Sequence, residues 1–254
     1  MATSARSSAA TPQFNYISGE LEAMANIPNY QNWIMERFAP YLKGQVLEIG
    51  AGIGTYSKRL AAHPSVTHLD CLEPDAGQTQ TIQALKLPHT EAFAQLSETF
   101  FQQKKIKNTY DAVVMINVLE HIEDDLACAQ SIYNALKPGG YFLVFVPALQ
   151  PLFSELDHLL GHYRRYHLNP MKTLLETAGF TITDARYMDT LGIAPWYVVN
   201  KLGKSTKMSP KAVKLYDTVG VPFTKFAESF MAPPVGKNVI AIAQKPLACV
   251  PLQA

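Results

Sequence analysis

The run Gln45-Val46-Leu47-Glu48-Ile49-Gly50-Ala51-Gly52-Ile53-Gly54-Thr55 constrains this chain more than any other stretch. A short apolar segment carries one acidic residue, three glycines alternate with small or apolar residues, and helix-forming sequence follows. Locally that is a strand, a tight turn and a helix N-terminus. Glycine permits backbone conformations and close approaches that a Cβ forbids, and a helix start offers free N–H groups to a ligand. The spacing is Gly-x-Gly-x-Gly. A Gly-x-Gly-x-x-Gly dinucleotide fingerprint would need its third glycine where Thr55 stands. Taken alone, the stretch also reads as a structural turn without a ligand.

A second acid follows at a meaningful distance. Helix-like Tyr56–Ala62 leads into Val66-Thr67-His68-Leu69-Asp70-Cys71-Leu72-Glu73-Pro74, an alternating strand that Pro74 ends. Glu73 lies roughly twenty residues beyond the glycines, the separation expected of a carboxylate that clamps ribose hydroxyls. A solvated strand-end acid is the other reading. Tyr110-Asp111-Ala112-Val113-Val114-Met115-Ile116-Asn117 then has the continuous apolar core of a strand buried on both faces, and Val118-Leu119-Glu120-His121-Ile122 follows it. Leu136-Lys137-Pro138-Gly139-Gly140 closes a helix ahead of a further buried strand, Tyr141–Val146.

In this order, the glycine turn, Glu73, Asp111–His121 and the Leu-Lys-Pro-Gly-Gly turn resemble the class I methyltransferases that use S-adenosylmethionine (SAM). The resemblance covers about residues 40–150. Further on, Gly161-His162-Tyr163-Arg164-Arg165-Tyr166 resembles a segment of a bacterial subset of that family, often of unassigned substrate. The family implies a Rossmann-like, doubly wound α/β sheet of seven strands, mostly parallel with the last strand antiparallel. An N-terminal helical cap and lid insertions would complete it.

The residues themselves place strands near 45–50, 66–73, 86–91, 110–117 and 141–147, then Phe180–Tyr187 and Val239–Gln244. Of these, Lys86-Leu87-Pro88-His89-Thr90 is the poorest strand sequence. Met171–Ala178 reads as a helix closed by Gly179. The expected organisation is a disordered tail over 1–13, a helical cap over 14–42 that includes Leu21–Met24 and Tyr30–Tyr41, a SAM-binding domain over 43–246, and a tail over 247–254. Insertions at about 148–170 and 191–235 interrupt the domain. Ligands of open α/β sheets bind beyond the carboxyl ends of the strands, so acceptor recognition is expected in these insertions and the cap.

Composition narrows the setting. With 254 residues, 48% hydrophobic, the chain is long enough for one well-buried core. A net charge of +1 gives no global attraction to nucleic acid, and Lys104-Lys105-Lys107 reads as a solvated loop. Cys71, Cys128 and Cys249 have no metal-site spacing and fit core thiols in a reducing cytoplasm. No secretory signal and no membrane-spanning segment is read from the sequence; the apolar run Gly140–Phe153 is too short and too interrupted.

By resemblance, Gly50, Ala51, Gly52 and Gly54 approach the amino-acid part of SAM, Glu48 helps hold its ammonium, Glu73 takes the ribose hydroxyls and Asn117 borders the methionine portion. Tyr30 could close over the cation with its aromatic face, or pack against Trp33 and Tyr41. His121, just past the fourth strand, is a candidate base, since an imidazole accepts a proton near neutral pH; a role in fixing the loop is the alternative. Some relatives bind a divalent cation at this point through two glutamates and a histidine. Asn117 stands where the first glutamate would be, so no metal is expected. In the loop after the fifth strand, His162 and Tyr163 are the acceptor-side catalytic candidates, and Asp157, His158, Arg164 and Tyr166 are candidate substrate contacts. Paired arginines suit carboxylate or phosphate, or else serve as a structural clamp.

The function these readings converge on is methyl transfer from SAM, with S-adenosylhomocysteine as product, to a small-molecule acceptor, at a hydroxyl or carboxylate oxygen. Trp196, Tyr197, Tyr216, Phe223, Phe226 and Phe230 point to an acceptor with an apolar portion, or are ordinary lid core. Transfer to nitrogen or carbon, a non-catalytic SAM-binding subunit and a nicotinamide-dependent oxidoreductase are the alternatives. A monomer or homodimer is expected.

Overall fold

The structure, a computed structural model, describes residues 26–206 and 209–247. The expected tail over 1–13 and the Leu21–Met24 part of the cap lie outside the described residues.

The sheet forms because four of its strands have apolar residues on both faces. Strand β1 (Gly44–Ile49) pairs in parallel with β2 (Val66–Leu72) on one side and β4 (Tyr110–Ile116) on the other. β3 (Thr90–Phe93) extends the β2 edge, and β5 (Leu136–Pro147) pairs in parallel with β4. β7 (Asn238–Gln244) runs antiparallel to both β5 and β6 (Thr181–Met188), between which it lies. The seven-stranded order is therefore β3-β2-β1-β4-β5-β7-β6, and the last strand is antiparallel, as the family implied.

Period-two alternation sends side chains to two cores. Leu47, Val113, Met115, Phe142 and Val144 enter one; Val46, Ala112, Val114, Leu143 and Phe145 enter the other. Helix α1 (Pro28–Phe38) covers the second face with Tyr30, Trp33, Ile34 and Phe38, while α5 (Asp125–Ala135) and α7 (Leu168–Thr177) cover the first. Between them in sequence, α2 (Ser57–Ala61), α3 (Ala76–Ala84), α4 (Ser97–Lys104) and α6 (Glu155–Leu159) complete the connections. The 191–235 insertion is helical: α8 (Ile193–Trp196), α9 (Pro210–Leu215) and α10 (Val221–Phe230).

Two local expectations need correction. The third strand is Thr90–Phe93, not 86–91, because Lys86 and His89 take positive φ values of 50° and 52° around Pro88. That left-handed backbone makes a turn and cannot be extended. The Leu136–Gly140 turn also belongs to β5: helix α5 stops at Ala135, and Leu136 already pairs with Tyr110 before the register shifts. Space sets the glycine there, since a Cβ on Gly140 would lie 2.9 Å from the Lys137 carbonyl oxygen.

Phe142 is fully buried on β5 and meets the Phe180 ring at 5.8 Å. Phe142→Ala is expected to cost about 3–5 kcal/mol of stability through lost burial and the cavity left behind. Urea denaturation at unchanged slope checks this; a loss below 1 kcal/mol, far under the range about which such cavities scatter, would mean that this core is not close-packed.

Candidate functional site

The glycine turn leaves β1 at its carboxyl end. Gly50, Gly52 and Gly54 all have positive φ, 74°, 56° and 82°. A Cβ on Gly50 would sit 2.2 Å from Val118 Cγ2, and one on Gly54 2.7 Å from Leu85 Cδ1. Gly50 is thus required by the protein's own packing as well as by backbone conformation, whereas at Gly54 the end of the Leu85 side chain could move and the positive φ is what calls for glycine. Hydrogen bonds from the Gly50 and Ala51 N–H groups to the Leu72 carbonyl, 2.8 and 3.0 Å, hold the turn against β2.

Glu73 is completely buried and shapes the same turn. Its carboxylate accepts from the Gly52 N–H at 2.9 Å and from the Asp75 N–H at 3.0 Å. The solvated strand-end reading of this acid is therefore wrong. Glu48, also buried, accepts from Ser57 Oγ and lies 3.6 Å from Cys71 Sγ. Burial pushes its carboxyl up to about 7, against the lowering effect of those two donors. A carboxylate so desolvated gains from a cation beside it.

The end of β4 supplies the next wall. Asn117 has φ of 52°, an uncommon backbone for a residue with a side chain, and its N–H donates to the Phe145 carbonyl at 2.8 Å. After it, Leu119–His121 forms one 3₁₀ turn. The His121 imidazole is held down at about 4 by burial and by His162, although the Leu160 and Gly161 carbonyls favour its charged form. It is neutral at physiological pH.

The loop after β5 is built around Asp157. This fully buried carboxylate forms a capping box with Ser154 at the start of α6, accepting from its N–H and Oγ, both at 2.8 Å. It also accepts from Arg165 Nε at 2.8 Å and Nη2 at 3.1 Å, and it bonds His162 Nδ1 at 2.9 Å. Burial alone would raise its pKa, but His162, Arg165 and Ser154 outweigh that and hold it at about 2. The Arg165 guanidinium in turn lies 4.5 Å over the Trp196 ring. Because the Tyr163 N–H donates to the Glu120 carbonyl at 2.8 Å, this loop closes onto the end of β4. His162 and His121 consequently meet edge to face, with ring centroids 4.5 Å apart.

Of the expected acceptor contacts, His158 and Tyr163 have exposed side chains, and His162 reaches His121. Arg164 is half-buried, paired with Asp125 at 2.6 Å and donating to the Glu123 carbonyl. Asp157 and Tyr166 point inward instead: the Tyr166 hydroxyl donates to Asp125 at 2.9 Å and the Leu119 carbonyl at 3.2 Å. These two hold the loop. Tyr30 likewise is buried, edge-on to Trp33 and Phe145, with its hydroxyl on Asp189 at 3.0 Å and Asn238 at 2.8 Å. Its packing reading prevails, although Tyr41 pairs with Tyr141 rather than with Tyr30.

Asp189, at the end of β6, was missed. It is fully buried and collects Tyr30, the Tyr216 hydroxyl, the Gly192 N–H and the Lys237 ammonium at 2.8 Å. The signal was available, since it is a strand-end acid like Glu73. Among the described residues, one group of side chains has metal-ligand geometry: Glu120, His121 and His162 bring one donor atom each within 4.8 Å of the others.

A glycine turn pinned by buried acids at the carboxyl ends of β1 and β2, inside this sheet order, defines a nucleotide-cofactor-binding α/β domain. A methyltransferase-domain family model matches residues 26–185, more than half the chain, and the chain belongs to that family. A probable S-adenosylmethionine-dependent methyltransferase of Mycolicibacterium smegmatis is 35% identical over 33% of this chain and 31% of its own length. The ubiquinone biosynthesis O-methyltransferase of Vibrio cholerae is 28% identical over 49% of this chain and 51% of its own. The chain thus spans about a third to about a half of the length of these curated relatives. Among solved structures, the Haemonchus contortus phosphoethanolamine N-methyltransferase 2 bound to S-adenosylhomocysteine superposes with a TM-score of 0.57 at 18% identity, covering 86% of this chain and 52% of that one. No helix of the described residues is long and apolar enough to cross a membrane.

Because Glu48 titrates near 7, its charged fraction grows as pH rises through that value. S-adenosylhomocysteine, whose ammonium it would face, is expected to bind more tightly above pH 7 than below it. Calorimetric titration across that range checks the sign, and Glu48→Gln should flatten the dependence. Equal affinity on both sides in the unaltered protein would remove Glu48 from the ammonium site.

Proposed function

We propose that this protein is a SAM-dependent methyltransferase acting on an oxygen of a small-molecule acceptor. The observation that carries the acceptor side is the Asp157–His162 pair meeting His121 at the end of β4. Family membership supports the reaction class, and the O-methyltransferase name of the Vibrio relative supports oxygen.

The buried residues fit the cofactor. Glu48 is a desolvated carboxyl that an ammonium would stabilise, and Glu73 already holds the turn that ribose hydroxyls would meet. Gly52, Gly54, Ala51 and Gly50 would line its amino-acid portion, with the Asn117 backbone beside it. When bound, SAM supplies a methyl group activated by a sulfonium. The chain's own task is then alignment and proton removal. His162 donates its Nδ1–H to ionised Asp157, which leaves Nε2 to take the acceptor's proton and compensates the imidazolium that results. His121, being neutral, adds no positive charge to repel a sulfonium. Tyr163, His158 and Arg164 are the acceptor-facing side chains of this reading. Phe223, Phe226 and Phe230 are exposed rather than packed as lid core, so they give no ground for an apolar portion of the acceptor. The protein works as a monomer or homodimer in the cytoplasm, and the reaction uses no metal. The two buried, unbridged thiols of Cys71 and Cys128 support a reducing compartment.

Glu73→Ala is expected to weaken SAM binding by about 1–3 kcal/mol, the range for losing a charged acceptor, measured by calorimetry. Unchanged affinity would overturn the ribose assignment. Once an acceptor is found by screening for S-adenosylhomocysteine release, His162→Gln should lower kcat by roughly 10²–10⁴ with SAM affinity retained. Turnover by the unaltered protein should survive a chelator. Loss under the chelator would transfer the Glu120, His121 and His162 cluster to a cation and remove His162 as the base.

A further inference from the structure

One surface of the molecule is unlike the rest. Residues 210–230 form one continuous helical segment, through α9, a π-helical turn over Tyr216–Gly220 and α10. At 1.5 Å per residue it is about 30 Å long. Its two faces have different partners.

The inner face is fixed to the body of the protein. Val221 and Thr224 are buried, and buried Asp217 accepts from the Asn29 and Tyr30 N–H groups at the start of α1. Glu228 accepts from the Thr190 N–H at 2.9 Å. These residues follow helical spacing, 217, 221, 224, 228.

The outer face repeats the spacing two positions away, and it is apolar too. Leu215, Val219, Phe223, Phe226 and Phe230 are each 60–76% exposed, with the last two rings edge to face at 5.0 Å. Such a row of five large apolar side chains held in water by a rigid helix marks a binding surface. Tyr197, Val198 and Leu202 add exposed apolar surface elsewhere in the insertion.

Charge indicates what covers it. Between residues 191 and 235 the sequence has six lysines, Lys201, Lys204, Lys207, Lys211, Lys214 and Lys225, against two acids, Asp217 and Glu228. Both acids are turned inward, as described, and Lys225 is paired with Glu36. Lys211 lies one turn before Leu215 on the same row, and Lys211, Lys214 and Lys204 are exposed. A two-fold dimer through this face would bring lysines against lysines with no acid to meet them. An apolar row with lysines and no outward carboxylate matches an anionic bilayer surface.

We propose that the outer face of the 210–230 helix docks the protein on anionic lipid membranes, with the phenylalanines in the headgroup boundary and the lysines on lipid phosphates. No span is involved. The docking is a property of this helix and does not depend on the methyl-transfer reading.

The test is cosedimentation of the full chain with vesicles of phosphatidylcholine alone and of equimolar phosphatidylcholine and phosphatidylglycerol, at low and high salt. Binding to the anionic vesicles, weakened by salt and by about fivefold for each lysine removed in Lys211→Ala and Lys214→Ala, is the expected result. Phe226→Ser should weaken it independently, while circular dichroism and S-adenosylhomocysteine binding stay unchanged. Absence of binding to either vesicle, or equal binding to both, would overturn the proposal. So would a dimer in solution that Phe226→Ser turns into a monomer, because a second copy would then own this face.

Discussion

The acceptor side of the molecule depends on one buried negative charge, the carboxylate of Asp157. It satisfies the first turn of α6, holds the Arg165 guanidinium and fixes which nitrogen of His162 carries a proton. Each partner would be costly alone. A guanidinium in the interior needs a counter-charge, and removing one member of such a pair typically costs about 3–5 kcal/mol. Arg165 carries the effect onward by lying over Trp196 at the start of the helical insertion. The loop, the histidine pair and the insertion are therefore ordered by one centre, and the shape of the acceptor side follows from electrostatics as much as from apolar burial.

A second buried acid does comparable work on the opposite core. Asp189 joins the end of β6 to Tyr30 of α1, to Tyr216 of the insertion and to Lys237 just before β7. Desolvation opposes its ionisation, and Lys237 and the donated hydroxyls more than offset that, so its carboxyl is held below the usual range. Both centres stand at the carboxyl edge of the sheet. That edge is where strand ends leave polar groups unpaired and where the irregular chain must be satisfied by side chains.

Most of the sheet was legible because periodicity of two and apolar runs report burial directly. Leu47, Val113–Met115 and Phe142–Val146 could hardly do anything else. The third strand was misplaced because Pro88 and two left-handed residues, Lys86 and His89, act through backbone conformation, which side-chain hydropathy does not encode. For the candidate site, Glu73 and His121 were singled out from their positions after strands, and Glu48 within β1 from the family resemblance. The partners of Glu48 were not, since Ser57 and Cys71 meet it only through the fold. The direction of Asp157 and Tyr166 was misread for a related reason. A polar residue in a loop looks like a ligand contact until the structure reveals an internal partner, and Arg165 and Asp125 are those partners. Tyr30 was open between two readings, and a buried hydroxyl with two acceptors decided it.

The strand order has a consequence for how the chain comes to be folded. β6 touches the sheet only through β7, and β5 keeps a bare edge until β7 arrives. While the ribosome is still extending the chain, β1 to β5 can pair as they emerge, but β6 has no strand to pair with. Such non-local pairing is slow, and the waiting edge of Phe142 to Val146 is apolar. Residues 238–244 act as the key that locks the sheet, so a nascent chain stopped short of them presents to its surroundings the surface it would otherwise hide.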